Sequence, residues 1–114
     1  MRVATIPTDH LSLGTCEAVD AAGWPVLIAR VAEGHRAVLN RCSHVAAALD
    51  GGRVRRGNIQ CPKHGAMFSL TDGGCVGGAY APLRTFAVSE EDGRVVVEVP
   101  DVPPTADEMP VPGL

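Results

Sequence analysis

The stretch RCSHVAAALDGGRVRRGNIQCPKHGAMFSL, residues 41–70, contains two short motifs that each pair a cysteine with a histidine. One residue separates Cys42 from His44, two separate Cys61 from His64, and sixteen lie between His44 and Cys61. Two loops would thus each deliver one thiolate and one imidazole. Gly51, Gly52 and Gly57 mark turns that return the chain to the second loop, and Gly65 allows a tight turn beside His64. Pro62 removes a backbone donor and stiffens that loop.

Outward from this stretch, turn signals recur every eight to twelve residues, which predicts an all-β sandwich or barrel. TCEAVD and VLIARV are strand-like around the turn AAGWP, and GHRAVLN leads into Arg41 and Cys42. After the second motif come AMFSL, the turn TDGG and then LRTFAV. SEEDG joins that run to RVVVEV, where Val95, Val97 and Val99 alternate with Arg94, Val96 and Glu98. No stretch shows a sustained helical period, and HVAAALD is long enough only for about a turn. From Pro100 onward, PDVPPTADEMPVPGL holds five of the nine prolines and reads as a loosely ordered tail. The expected organisation is one domain over residues 1–100 and a proline-rich tail over 101–114.

A chain of 114 residues can close one hydrophobic core without covalent staples. Its formal net charge of −3 argues against a general nucleic-acid binder. No apolar run suits a signal peptide or a membrane span, so the expected compartment is the cytoplasm, where thiols stay reduced. Disulfides among Cys16, Cys42, Cys61 and Cys75 are accordingly disfavoured. Cys16 alternates like a core strand residue, and Cys75 sits in a glycine-rich loop with no histidine close by. His10 and His35 have no ligand-spaced partner; His35 begins an alternating strand and reads as a surface or half-buried residue. Trp24 and Tyr80 read as packed hydrophobic anchors.

Mixed thiolate and imidazole donors suit zinc, copper or an iron–sulfur cluster. Zinc is the serious competitor, since a structural Cys₂His₂ tetrahedron is common. Its knuckles usually take two ligands at Cys-x₂₋₄-Cys spacing, whereas here each arm supplies one donor of each kind. Cys-x-His followed by Cys-x-x-His resembles the Rieske [2Fe–2S] pattern. The resemblance runs in order through CSH, LDGG, CPKHGAMFSLTDG and YAPLRTFAV to DGRVVVEV, from about Thr5 to Val99.

That resemblance implies a Rieske-type antiparallel β-sandwich or barrel with a small cluster-binding subdomain formed by two loops. It implies one [2Fe–2S] cluster per chain, with Cys42 and Cys61 on the inner iron and His44 and His64 on the outer iron. Two neutral imidazoles in place of two thiolates leave the oxidised centre uncharged, so it accepts an electron more readily than a four-thiolate cluster. High-potential relatives carry an extra cysteine in each loop, and Ala47 and Lys63 stand at those places. They also carry serine and tyrosine donors, at positions matching Ala66 and Phe68. A potential near the −150 mV end of the Rieske range follows.

Once the cluster histidines are assigned, only His10 and His35 remain for any mononuclear iron site. The chain then reads as a non-catalytic carrier in a multicomponent dioxygenase system, a monomer when free. It would take electrons from an NAD(P)H-dependent flavoprotein reductase and pass them to a terminal Rieske oxygenase. The alternatives are a small Rieske subunit of a larger redox enzyme, such as NADH-dependent nitrite reductase, and a zinc-stabilised interaction module. Between residues 41 and 64, Arg41, Arg53, Arg55, Arg56 and Lys63 face Asp50 alone, a local +4. This loop is either simply solvated or steers the chain toward an acidic partner.

Overall fold

Ten strands form among the described residues of the computed structural model, which are 1–43, 46–63, 65–105 and 108–109. In chain order they are β1 (Arg2–Pro7), β2 (Cys16–Ala21), β3 (Trp24–Val31), β4 (Gly34–Leu39) and β5 (Arg53–Arg55). β6 (Asn58–Gln60), β7 (Met67–Ser69), β8 (Thr85–Phe86), β9 (Val88–Glu91) and β10 (Arg94–Glu98) follow. They build three antiparallel sheets, ordered β1-β10-β9, β2-β3-β4-β8 and β5-β6-β7. The all-β expectation holds. Among the described residues no helix is long and apolar enough to cross a membrane.

β3 explains the layering. Its side chains alternate across the pleat, yet both faces are buried. Leu27, Ala29 and Val31 join one core with Val38, Ile59, Phe68, Leu70, Cys42 and Cys61. Trp24, Val26 and Ile28 join another with Phe86, Val95, Val97 and Val99. The four-stranded sheet is therefore the middle layer, with β1-β10-β9 on one side and the β5-β6-β7 subdomain on the other. Each large side chain fully buried in these cores contributes roughly 1.5–3 kcal/mol.

The small sheet is inserted between two strands that pair with each other. β4 bonds β8 through Ala37↔Phe86 and Val38↔Thr85, and the Leu39 N–H donates to the Arg84 carbonyl at 2.9 Å. Everything from Asn40 to Leu83 leaves and returns through this one gate. Gly52 makes the inserted hairpin possible, since a Cβ there would stand 1.9 Å from the Gln60 carbonyl oxygen. Gly73 closes the far side, with φ +80° and a Cβ position 2.1 Å from the Leu83 oxygen.

Several boundaries differ from the sequence expectation. The AAGWP turn tightens to Ala22–Gly23, both at positive φ, and Trp24 and Pro25 enter β3. Most of SEEDG is strand, because Asp92–Gly93 alone makes the turn between β9 and β10. Residues 46–50 form no helix; Ala46 is left-handed at φ 57° instead. His35 is buried rather than half-buried, because Glu90 on β9 reaches its Nδ1 at 2.7 Å. Trp24 is an anchor at 0% exposure, but Tyr80 is 37% exposed and is not one.

Candidate metal centre

β4 ends at Leu39, and the chain passes through Asn40 and Arg41 to Cys42. β6 ends at Gln60 and delivers Cys61 directly. Both cysteines are buried, at 0% and 2% exposure, and both belong to the core cluster that includes Ile59 and Phe68. No disulfide forms among the described residues. His44 and His64 lie outside the described residues.

The two loops close on themselves in the same way. The Cys42 N–H donates to the Ala47 carbonyl at 2.8 Å, and the Ala46 N–H donates back to Cys42 at 2.7 Å. The Cys61 N–H donates to the Ala66 carbonyl at 2.7 Å, and the Gly65 N–H donates back to Cys61 at 3.1 Å. The fifth residue of each six-residue loop is left-handed, Ala46 at φ 57° and Gly65 at φ 77°. The expected tight turn at Gly65 is present. Two motifs of unequal spacing are thus closed by the same pair of backbone hydrogen bonds.

These bonds also bear on which amides can face a cluster. The N–H groups of Cys42, Ala46, Cys61 and Gly65 are already held by protein carbonyls. Leu49 N–H is held by the Asn40 side-chain oxygen at 2.8 Å. Donors to cluster sulfur stabilise the reduced state, and these five amides are engaged elsewhere.

Asn40 was not singled out by sequence reasoning, yet it holds the first loop. It is 4% exposed; its oxygen accepts from Leu49, and its amide nitrogen donates to Asp50 Oδ1 at 3.2 Å. A polar residue at the end of an apolar strand, just before the motif, was the available signal. A third segment completes the surroundings, since Ser43 Oγ donates to the Ala81 carbonyl at 2.5 Å. This ties the exposed 76–82 run to the first loop.

The donor set suits a soft metal centre. Two thiols from two loops meet in one dry core, where thiolates need a cation beside them to be stable. Cys16 and Cys75 are only half-buried at the margin of that core. Burial, then the neighbouring Asp50 carboxylate, pushes the Cys16 thiol pKa up, which disfavours its thiolate. The Cys75 sulfur contacts the Val76 carbonyl at 3.6 Å.

The basic residues do not form one group. In the β5–β6 hairpin Arg53 pairs with Gln60, at the Cys61 end, and Arg55 pairs with Asn58 at the other. Arg56 and Gly57 make the turn beyond, roughly 13 Å from Cys61 at ordinary strand rise. Arg53 shares one cleft with Cys61 and Pro62 and another with Arg55 and Asp50, whereas Arg56 lines a separate cleft with Leu13, Arg30 and Glu33.

Comparison with known proteins agrees with this geometry. Residues 1–87 match the family model described as Rieske [2Fe-2S] domain. The methanesulfonate monooxygenase ferredoxin subunit of Methylosulfonomonas methylovora is 32% identical over 79 residues, 68% of this chain and 64% of that protein. The ferredoxin of carbazole 1,9a-dioxygenase from Nocardioides aromaticivorans IC177 superposes with a TM-score of 0.79 at 27% identity, covering 90% of this chain and 98% of that one. A chain in a complex of reduced oxygenase and oxidized ferredoxin of carbazole 1,9a-dioxygenase gives 0.78 at 28% identity, covering 84% and 100%. A putative NADH-dependent nitrite reductase small subunit from Mycobacterium tuberculosis also gives 0.78, at 25% identity, covering 88% and 96%. The chain spans from 7% to 66% of the length of the first curated relatives it matches. With the family model answering over most of the sequence and ferredoxin structures sharing its sheets, the chain belongs to the Rieske family and its cofactor is a [2Fe–2S] cluster.

Proposed function

We propose that this chain is a one-electron carrier in which Cys42 and Cys61 hold the inner iron, and His44 and His64 the outer iron. It takes an electron from an NAD(P)H-dependent flavoprotein reductase in the cytoplasm and passes it to a terminal Rieske oxygenase. The observation that carries this is the pair of equally closed loops that places Cys42 and Cys61 in one buried core. The cluster, when bound, supplies reversible one-electron chemistry. The protein supplies dry thiol donors, two self-closed loops and a segment at 76–82 tied to the first of them.

A carrier fits better than an oxygenase. The remaining imidazoles do not converge, for His10 pairs with Glu17 on β2 at 2.8 Å and His35 with Glu90 on β9 at 2.7 Å. A second reading, the small Rieske subunit of a nitrite reductase, is supported by the Mycobacterium tuberculosis structure at an almost equal TM-score. The two readings share the cluster and differ in the acceptor. Reduced protein mixed with a terminal oxygenase and with a nitrite reductase catalytic subunit separates them by which one oxidises it.

The ligand assignment is tested on protein purified anaerobically from iron-fed cells. Two irons and two acid-labile sulfides per chain, with a red-brown colour, are expected for a [2Fe–2S] centre. Cys42→Ser, Cys61→Ser, His44→Ala and His64→Ala should each abolish the normal spectrum, whereas Cys16→Ser and Cys75→Ser should leave it nearly unchanged. Stoichiometric zinc without labile sulfide would overturn the assignment.

A further inference from the structure

The basic residues near Cys61 define a surface that the electron-carrier reading does not by itself explain. Arg53 and Lys63 are exposed, and neither makes an ion pair among the described residues. Lys63 sits inside the second loop, two residues past Cys61, and Arg53 lines the cleft beside it. Arg41 adjoins Cys42 and is half-buried, with its guanidinium donating to the Asn40 carbonyl at 2.6 Å. Asp50, the lone acid between 41 and 64, already accepts from the Asn40 amide. The first loop is also tied, through Ser43 and Ala81, to an exposed apolar run with Val76 at 55% and Tyr80 at 37% exposure, and Val76 bonds Met67 at the sheet edge opposite Arg53.

The charge is local. Residues 41–64 carry +4 within a chain of −3, so the remainder carries −7. A molecule so polarised turns its basic end toward an anionic surface although its net charge is negative. The overall −3 disfavours a nucleic-acid polyanion, which would meet the acidic remainder as well. We propose that the electron acceptor of this chain presents an acidic protein surface, and that Arg41, Arg53 and Lys63, beside the two cysteine-bearing loops, receive it. Arg56, in the turn at the other end of the hairpin, lies outside that face, and Arg55 stands between the two. The proposal rests on the carrier reading.

A structural role would be different. β5 is an edge strand, and charged residues on an edge prevent pairing with another chain. Either sign of charge serves that purpose, so sign reversal separates the two roles.

The test uses cluster-loaded chain and small outer-sphere oxidants as probes of local charge. The reduced chain gives one electron to trianionic ferricyanide, forming ferrocyanide, or to tricationic hexaammineruthenium(III), forming the ruthenium(II) ion; no bond forms or breaks in the protein. The ferricyanide rate is expected to fall about fivefold as salt rises from low to moderate ionic strength, and the ruthenium rate to rise. Arg53→Glu with Lys63→Glu should cancel or reverse both trends. Arg56→Glu with Arg94→Glu, remote from that face, changes the net charge equally and should leave them within about twofold. Glutamine at Arg53 and Lys63 gives an intermediate result if the glutamate pair fails to fold. Salt trends that follow the net −3, or respond equally to both pairs, would overturn the docking face while leaving the carrier reading standing. A chain with no reducible cluster would remove both.

Discussion

Phe68 brings a ring without a hydroxyl into the core that holds Cys42 and Cys61. It is fully buried, pairs across the sheet with Ile59 and bridges to Cys75. Phe68→Tyr should raise the midpoint potential if its hydroxyl reaches a cluster sulfur. A net gain near 1 kcal/mol in the reduced state corresponds to roughly 40 mV for one electron. Voltammetry at neutral pH measures this, and a lower melting temperature with an unmoved midpoint would show that the hydroxyl reaches no sulfur. The unsubstituted chain should sit near the low end of the Rieske range; a midpoint above about +100 mV would refute the argument from missing donors. Phe68 was legible as a strand core residue, and the cysteine–histidine spacing announced the donor set. The engaged amides were not legible, because hydrogen-bond partners depend on how each loop closes. Tyr80 was misjudged because aromatic character alone does not bury a residue, and it lies in the exposed 76–82 run.

At the scale of elements, the two ligand loops have one closure but different residues at the left-handed position. A non-glycine residue there pays steric strain of order 1 kcal/mol. Gly65→Ala should therefore lower stability by about 1 kcal/mol, whereas Ala46→Gly should be neutral or slightly stabilising, because relief of strain offsets a more flexible unfolded chain. Denaturant melts of the holo-protein decide it, and equal losses from both substitutions would refute the shared geometry. This symmetry could not be read from the sequence, since alanine does not advertise a left-handed conformation. The β5–β6 hairpin was only partly legible, through the turn that Gly57 marked. Its three-residue strands are too short for periodicity, and its turn is Arg56–Gly57 rather than an asparagine–glycine pair. Longer strands such as β3 and β10 were plain from their apolar runs.

For the whole molecule, the proposed boundary after residue 100 concerns how the tail lies. Trp24 Nε1 donates to the Val102 carbonyl at 2.9 Å, Pro103 abuts Gly23, and Met109 packs against the core that contains Trp24. Arg84 lies 4.6 Å from the Trp24 ring and 3.2 Å from the Glu108 carboxylate. A chain ending at Pro100 should show red-shifted emission from Trp24, its single tryptophan. Loss of about 1 kcal/mol would lower the melting temperature by roughly 5 °C. The visible spectrum should not change, because the tail lies against the core opposite the cysteines; unshifted emission would show that the strap contributes nothing. Acid should loosen the strap too. The Thr105 backbone N–H, followed by the Thr105 hydroxyl and then the Arg84 charge, holds the Glu108 pKa below the usual glutamate range. Its stabilising effect is present above the unfolded-state value and disappears as pH falls through the lower folded one. Proline content suggested a tail but could not show what it covers.

β3 has a further consequence for how variation reaches this protein. Its odd-numbered residues from Leu27 to Val31 line the layer that contains Cys42 and Cys61, and its even-numbered residues from Trp24 to Ile28 line the layer that the tail covers. Parity along one strand is thus an address. A methyl group removed at Ile28 is felt as scaffold strength, and one removed at Leu27 is felt beside the redox centre. Adjacent codons can therefore drift under separate selection, one for endurance and the other for electron affinity.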